Sequence, residues 1–189
     1  MTKFSDVILP SSQQAIQIGL VSISNRYTLA TDDTGSAFER AIAAQGHQLC
    51  QRLIVKEDLY QIRAAISQLI ANTQCQVILL LGGTGFHAKN CTIEAISVLF
   101  DREIPGFGEL FRQLSFAQIG SAAMQSSACA GLANNTLIFA LPGSPAAAAL
   151  AANKLIWPQL QAQTEPCNFT HLLHQQYNKM NCNSPQINN

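Results

Sequence analysis

Charge is the scarcest feature of this sequence. Lysine, arginine, aspartate and glutamate make up 12% of the 189 residues, eleven basic against eleven acidic, for a formal net charge of zero. No basic run is present to grip a phosphate backbone or an anionic bilayer surface, which argues against nucleic-acid and membrane partners. A surface so poor in charge, beside 48% hydrophobic residues, predicts that subunit contacts cover part of it in a homo-oligomer. No apolar run approaches membrane-spanning length. The opening MTKFSDVILPSSQQ has a lysine but no sustained apolar core, so no secretory leader is expected. Paired cysteine motifs are also missing. Cys50, Cys75, Cys91, Cys129, Cys167 and Cys182 form no C-x-x-C pair and no regular framework. Free buried thiols are therefore expected rather than disulfides or zinc, and a reducing, cytoplasmic location with them. His47, His171 and His174 lack ligand spacing and read as surface residues, and His87 as a solvated loop residue.

What is present is an alternation of short apolar runs with helical patterns, in a length that suits one domain. Gln17–Ser24 reads as a buried strand. Ser36–Gln45 has helical spacing and stops at Gly46, a suitable C-cap. His47–Val55 is a second strand. Asp58 caps a helix whose Leu59, Ile62, Ile66, Leu69 and Ile70 form one stripe. VILLLGGTG is a strand and its loop, followed by a helix from about Thr92 to Leu99. A helical pattern follows Pro105, then a turn-rich stretch SAAMQSSACAGLANN, the strand TLIFAL, and an alanine-rich helix from Pro145 to about Gln161. The pattern predicts an α/β fold with a mostly parallel sheet covered on both faces. Residues 16–169 form the domain, with a loosely held N-terminal segment at 1–15 and a polar tail at 170–189.

In such sheets ligands bind beyond the carboxyl ends of the strands. Three loops fall there: SNRYTLATDDTG, GGTGFHAKN and PGSP. Gly82, Gly83, Thr84 and Gly85 suit an anion cradle, because glycine lets backbone N–H groups approach an anion, though a tight turn wants glycine equally. The order is neither Walker A nor G-x-G-x-x-G. Asp32 and Asp33 are candidate Mg²⁺ ligands or, alternatively, a helix cap and its first-turn acid. Asp58 being a cap leaves Glu57 as the candidate with a chemical role. Ser144 either donates to a phosphate or caps the alanine-rich helix.

The series SxSNR…DDTG, VKEDLYQIR, GGTGFHAKNCTIEAI, LFDREIPGFGELFRQLSFAQIG, LANNTLIFALPGSP and PQL…PCNF resembles the MoaB/MogA family of molybdopterin-binding proteins from about Ile16 to Phe169. VKE-x-x-Y-x-IR and PCNF bring it nearer the MoaB branch. The resemblance implies a three-layer α/β/α sandwich, a homotrimer or a hexamer of trimers, and a pocket for molybdopterin. It also implies contacts with other molybdenum cofactor biosynthesis proteins. In MogA-type members ATP and Mg²⁺ serve to adenylate the pterin. On this match Gly82, Gly83, Thr84 and Gly85 hold phosphate, Lys89 supplies a basic charge, and Thr92 and Glu94 close the loop. Pro142, Gly143 and Ser144 wall the pocket.

The departures concern catalysis. Asn90 stands in place of the family Asp, Leu81 in place of Thr, Ile93 in place of Pro, and Glu57 where adenylating members carry Asp. Ser127 replaces an Arg, Asn135 a common Lys, and DDTG is one residue shorter than DDTSG. Asn brings no negative charge to Mg²⁺. The expectation is a MoaB-type binder of molybdopterin with weak or absent adenylyltransferase activity. The alternatives are an active Mg-ATP-dependent molybdopterin adenylyltransferase, with Glu57, Asp32 and Asp33 supplying the metal site, and a non-catalytic scaffold with a lapsed pocket.

Overall fold

The structure is a computed structural model and describes residues 15–173. Six strands form one sheet: β1 (Gln17–Ile23), β2 (Gln48–Val55), β3 (Val77–Leu81), β4 (Arg102–Glu103), β5 (Cys129–Ala133) and β6 (Thr136–Leu141), in the order β2-β1-β3-β6-β5-β4. The first four in that order are parallel, and β5 and β4 add an antiparallel edge. The helices are α1 (Asp33–Ala44), α2 (Leu59–Ala71), α3 (Thr92–Ser97), α4 (Pro105–Ile119) and α5 (Pro145–Ala151). α5 continues through a π-helical segment, Ala152–Ile156, into α6 (Trp157–Gln159), so the alanine-rich run is one helical stretch with a wider turn inside it.

The sheet is sandwiched because its central strands are apolar on both faces, and every residue of β3 and β6 is buried. Alternation along the strands sorts the side chains into two cores. Ile18, Leu20, Leu79 and Phe139 face Phe38 and Ile42 of α1, Phe107 and Phe111 of α4, and Ala148, Ile156 and Trp157 of the last helical stretch. Val21, Ile78, Leu80 and Ile138 face Ile62, Ile66 and Leu69 of α2 and Ala95 and Ile96 of α3. Each Val, Leu, Ile or Phe among them contributes about 1.5–3 kcal/mol when fully buried. The three-layer α/β/α sandwich expected from the sequence is the observed one. Gly46, at φ +77°, follows α1 as its C-terminal signal required.

Four expectations are corrected. SAAMQSSACAGLANN is a 3₁₀ turn at Gly120–Gln125 followed by β5; small residues hid the strand. Gly131 lacks a side chain because the Phe100 ring lies across it, within 2.6 Å of where a Cβ would stand. His47 is no surface residue: it is 5% exposed, accepting from the Ile16 N–H at its Nδ1 (3.4 Å) while its Nε2 has no partner. The domain runs past residue 169, since Thr170 and Leu173 are buried and the Gln76 side chain donates to the Leu173 carbonyl at 3.2 Å. Cys50, Cys75, Cys91, Cys129 and Cys167 are free, and Cys167 is exposed rather than buried. Cys182 and His174 lie outside the described residues.

Burial holds the His47 pKa below the ordinary value of 6.5. The unfolded chain therefore binds a proton that the folded one resists. This contribution to stability is complete above about pH 6.5 and is lost as pH falls towards the lowered folded pKa. Urea denaturation of the wild type and His47→Gln between pH 5 and 8, read against the ~6.5 reference, is expected to show a weaker acid-side loss in the variant.

Candidate functional site

The carboxyl ends of β1, β3 and β6 converge on one residue, Gly82. Its φ is +99°, and a Cβ there would stand 2.9 Å from the Ile23 carbonyl oxygen that ends β1 and 3.9 Å from the Gly143 Cα. Its N–H donates to the Leu141 carbonyl at the end of β6 (2.9 Å), and its own carbonyl accepts from the Thr92 hydroxyl (2.9 Å). Gly83 (φ +68°) gives its carbonyl to the Thr92 N–H (3.0 Å), and a Cβ on Gly83 would fall 2.2 Å from Thr92 Oγ1. Thr92, fully buried, therefore folds the loop onto the start of α3 by two bonds. Thr84 is buried and Gly85 is exposed. Asn90 is half-buried beside Gly85, where a Cβ would meet its amide nitrogen at 2.8 Å. Lys89 is exposed, and its N–H and that of Asn90 donate to the His87 ring Nδ1 and carbonyl.

The acidic candidates separate by use. Asp32 is the N-cap of α1 and 3% exposed. Its Oδ1 accepts from the Gly35 N–H (2.9 Å); its Oδ2 accepts from the Ser22 hydroxyl (2.6 Å) and pairs with Arg52 Nη2 (3.3 Å), while Arg52 Nη1 reaches Glu39 (2.9 Å). The proposed Mg²⁺ role for Asp32 is thereby corrected, because both oxygens are already committed inside the fold. Asp33, the first residue of α1, is exposed. Glu57 Oε2 accepts from Asn25 Nδ2 (3.0 Å) while the Glu57 N–H donates to Asn25 Oδ1 (3.2 Å), a reciprocal clasp between the loops after β1 and β2. Glu57, Asp58 and Glu94 all bear on Cys91, whose thiol pKa is raised by burial first and then by Glu94, Asp58 and Glu57. Glu57 follows the end of β2 and Glu94 lies in the first turn of α3, so both stand at the carboxyl end of the parallel strands. Among the described residues no group of three or more His, Cys, Asp or Glu is arranged to hold a metal. With Asp32 committed and Asn90 uncharged, Asp33 and Glu57 are the carboxylates left to a Mg²⁺ held jointly with substrate phosphates.

The loop after β6 lies directly against the glycine loop, the Gly143 side facing the Gly82 Cα at 3.4 Å from an added Cβ. Ser144 occupies the N-cap position of α5, but its side chain makes no capping bond and is exposed. The cap alternative is therefore not realised by its hydroxyl. Pro142 is half-buried. β5 begins opposite the end of β6, with Cys129 paired to Ala140, so Ser127 lies at this end of the sheet. Asn135 lies at the other, in the Asn134–Asn135 turn where φ is +45° and +62°. Its lost positive charge is therefore far from these loops along β6, a correction to the expectation that groups it with Ser127.

Alongside α3 opens a cavity of about 290 Å³ lined by Ile93, Ser97, Glu103, Glu109, Arg112 and Cys129, among others. Burial, with Glu103 and Glu94 beside it, pushes the Cys129 thiol up to about 12, which keeps it neutral. Sequence reasoning assigned no role to Arg112, Glu109, Asn25 or Arg52. Only the Glu109–Arg112 spacing, which puts both on one face of α4, was a visible signal.

The chain matches the model of the probable molybdopterin binding domain over residues 12–162. It belongs to that family. It is 44% identical to molybdenum cofactor biosynthesis protein B of Escherichia coli over 169 residues, covering 89% of this chain and 96% of that protein. The corresponding Bacillus subtilis protein is 39% identical over 146 residues, 77% of this chain and 86% of the relative. Among solved structures, a crystal structure of molybdenum cofactor biosynthesis protein B superposes with a TM-score of 0.80 at 36% identity, covering 89% of this chain and 99% of that one. The tungsten cofactor synthesizing protein MoaB of Pyrococcus furiosus gives 0.67 at 26% identity, covering 75% and 91%.

Two substitutions probe the site's framework. Thr92→Val keeps shape but orphans the buried Gly82 carbonyl, and should cost about 1–3 kcal/mol in urea denaturation. Asp32→Ala breaks a buried ion pair and a helix cap, and is expected to cost about 3 kcal/mol, at the lower end for buried pairs because Arg52 keeps Glu39.

Proposed function

We propose that the chain is a MoaB-type protein of molybdenum cofactor biosynthesis that binds molybdopterin at the glycine loop, with weak or absent adenylyltransferase activity. The single observation behind this reading is the convergence of the loops after β1, β3 and β6 on Gly82, with Asn90 beside Gly85 in place of a carboxylate. The relatives named for molybdenum cofactor biosynthesis support the pathway, and a cavity of about 290 Å³ opens alongside α3, the helix that follows the loop. In this reading Gly82, Gly83, Thr84 and Gly85 receive the phosphate, with Lys89 adding charge. Thr92 and Glu94 close the loop, Pro142, Gly143 and Ser144 form the neighbouring wall, and Arg112 offers the cavity a bidentate cation. A homotrimer or hexamer, a cytoplasmic location and contacts with other cofactor-biosynthesis proteins belong to the same reading.

The active alternative draws on the exposed Asp33 and on Glu57, whose Oε2 alone is held by Asn25. Incubation with molybdopterin, ATP and Mg²⁺, assayed for adenylated pterin and in parallel for molybdopterin binding, separates the two. The expected result is binding with turnover at background, and a gain of turnover in Asn90→Asp, which restores a carboxylate where metal-dependent chemistry would use one. Wild-type turnover that collapses on Asp33→Ala but ignores Asn90→Ala would establish the active enzyme instead. No affinity for molybdopterin would leave the scaffold.

A further inference from the structure

We propose that Arg63 of α2 is the positioning residue of the glycine loop. It holds α3, and through Thr92 the Gly82–Gly85 backbone, in the arrangement that receives an anionic ligand; the ligand half of this inference rests on the binding reading above. α3 is six residues long and has no side-chain N-cap, so it cannot persist by its own hydrogen bonds. At its start Thr92 binds the Gly82 and Gly83 carbonyls. At its end the N–H groups of Val98 and Leu99 both turn to the Ile96 carbonyl, leaving those of Glu94 and Ala95 without them.

Arg63 takes up those two carbonyls, Nη2 donating to Glu94 (3.4 Å) and Nε to Ala95 (3.3 Å). A planar guanidinium can serve two adjacent carbonyls at once, and its charge complements the negative end of a helix. Tyr60 sets its orientation from one turn earlier, the guanidinium carbon lying 5.3 Å from the ring centroid. That gives the Y-x-I-R spacing a physical meaning: Ile62 enters the core, while Tyr60 and Arg63 share the neighbouring face. α2 is a firm anchor, thirteen residues capped by Asp58, whose Oδ1 accepts from the Tyr60 and Gln61 N–H groups. Tyr60 is 72% exposed, so its ring face is open to the guanidinium.

The test is amide hydrogen exchange by NMR on the full chain, with molybdopterin affinity by calorimetry. In Arg63→Ala, exchange at the Thr92 N–H should rise and affinity should fall, each about tenfold, while the Val77–Leu81 amides keep their rates. Arg63→Lys, which keeps charge but cannot fork, should recover less than half of the lost affinity on a logarithmic scale. Wild-type exchange at Thr92, an acceleration shared equally by Val77–Leu81, or unchanged affinity despite faster exchange would overturn the proposal. Should Arg63→Ala fail to fold, Tyr60→Leu, which frees the guanidinium without removing it, is read by the same criteria. If the wild type itself binds no molybdopterin, the functional reading falls, and exchange at Thr92 decides by itself whether Arg63 holds the loop.

Discussion

The carboxyl-terminal end of the sheet depends on how closely three backbones pass at Gly82. The Ile23 carbonyl occupies the space a side chain would need, Gly143 closes the other side, and the Leu141 carbonyl fixes the amide. A residue with a Cβ would face both a steric clash with backbone and a left-handed conformation that costs about 1–2 kcal/mol. Because that crossing is tight, the loops after β1, β3 and β6 become one site instead of three separate turns. Thr92 then converts the crossing into a fixed loop by binding both glycine carbonyls, and those bonds are buried, where losing either partner is expensive.

A second constraint is the small number of charges. Asp58 caps α2 and Asp32 caps α1, and Asp32 also anchors Arg52 across β1 and β2. Asn25 ties one oxygen of Glu57. Carboxylates that the loop sequences offer to a metal are thus largely consumed in holding the helices and loops in place. The buried thiols follow the same economy: Cys129 is kept neutral by burial and nearby acids, so it behaves as a small apolar side chain in the cavity wall.

The parallel half of the sheet and its helices were legible because their signals are strong: long apolar runs at β1, β3 and β6, a capped stripe at α2, Gly46 after α1. The antiparallel edge was not. β5 reads CAGLA, without β-branched residues and with a glycine that the Phe100 ring covers, and β4 is two residues long. The loops that form the site were readable from glycine and position after strands. The status of each acid within them was not, since Asp32 becomes a buried ion-pair partner only through Arg52 and Ser22, neighbours that no local spacing reveals. His47 was misread for the same reason: polarity suggested the surface, while its place just before β2 set it against Ile16 in the interior. Asn135 went astray because sequence proximity to β6 does not tell which end of the strand meets the loops after β1 and β3.

Ile93 connects the family comparison to the short helix. A proline near the start of a helix carries a backbone already set for the first turn and forfeits only an amide that has no helical partner there. With Ile93 that preorganisation is absent, and the unfolded loop gains conformational freedom that folding must remove. α3 then relies more heavily on its other ties, Thr92 at the loop and Arg63 at the far end. A loop whose order comes from contacts with a neighbouring helix can still present its amides to an anion, and binding needs little more than that. In-line phosphoryl chemistry asks for tighter placement of the reacting groups and for charge where Asn90 has none. In the proposed reading the same substitutions therefore weigh on reaction more than on recognition.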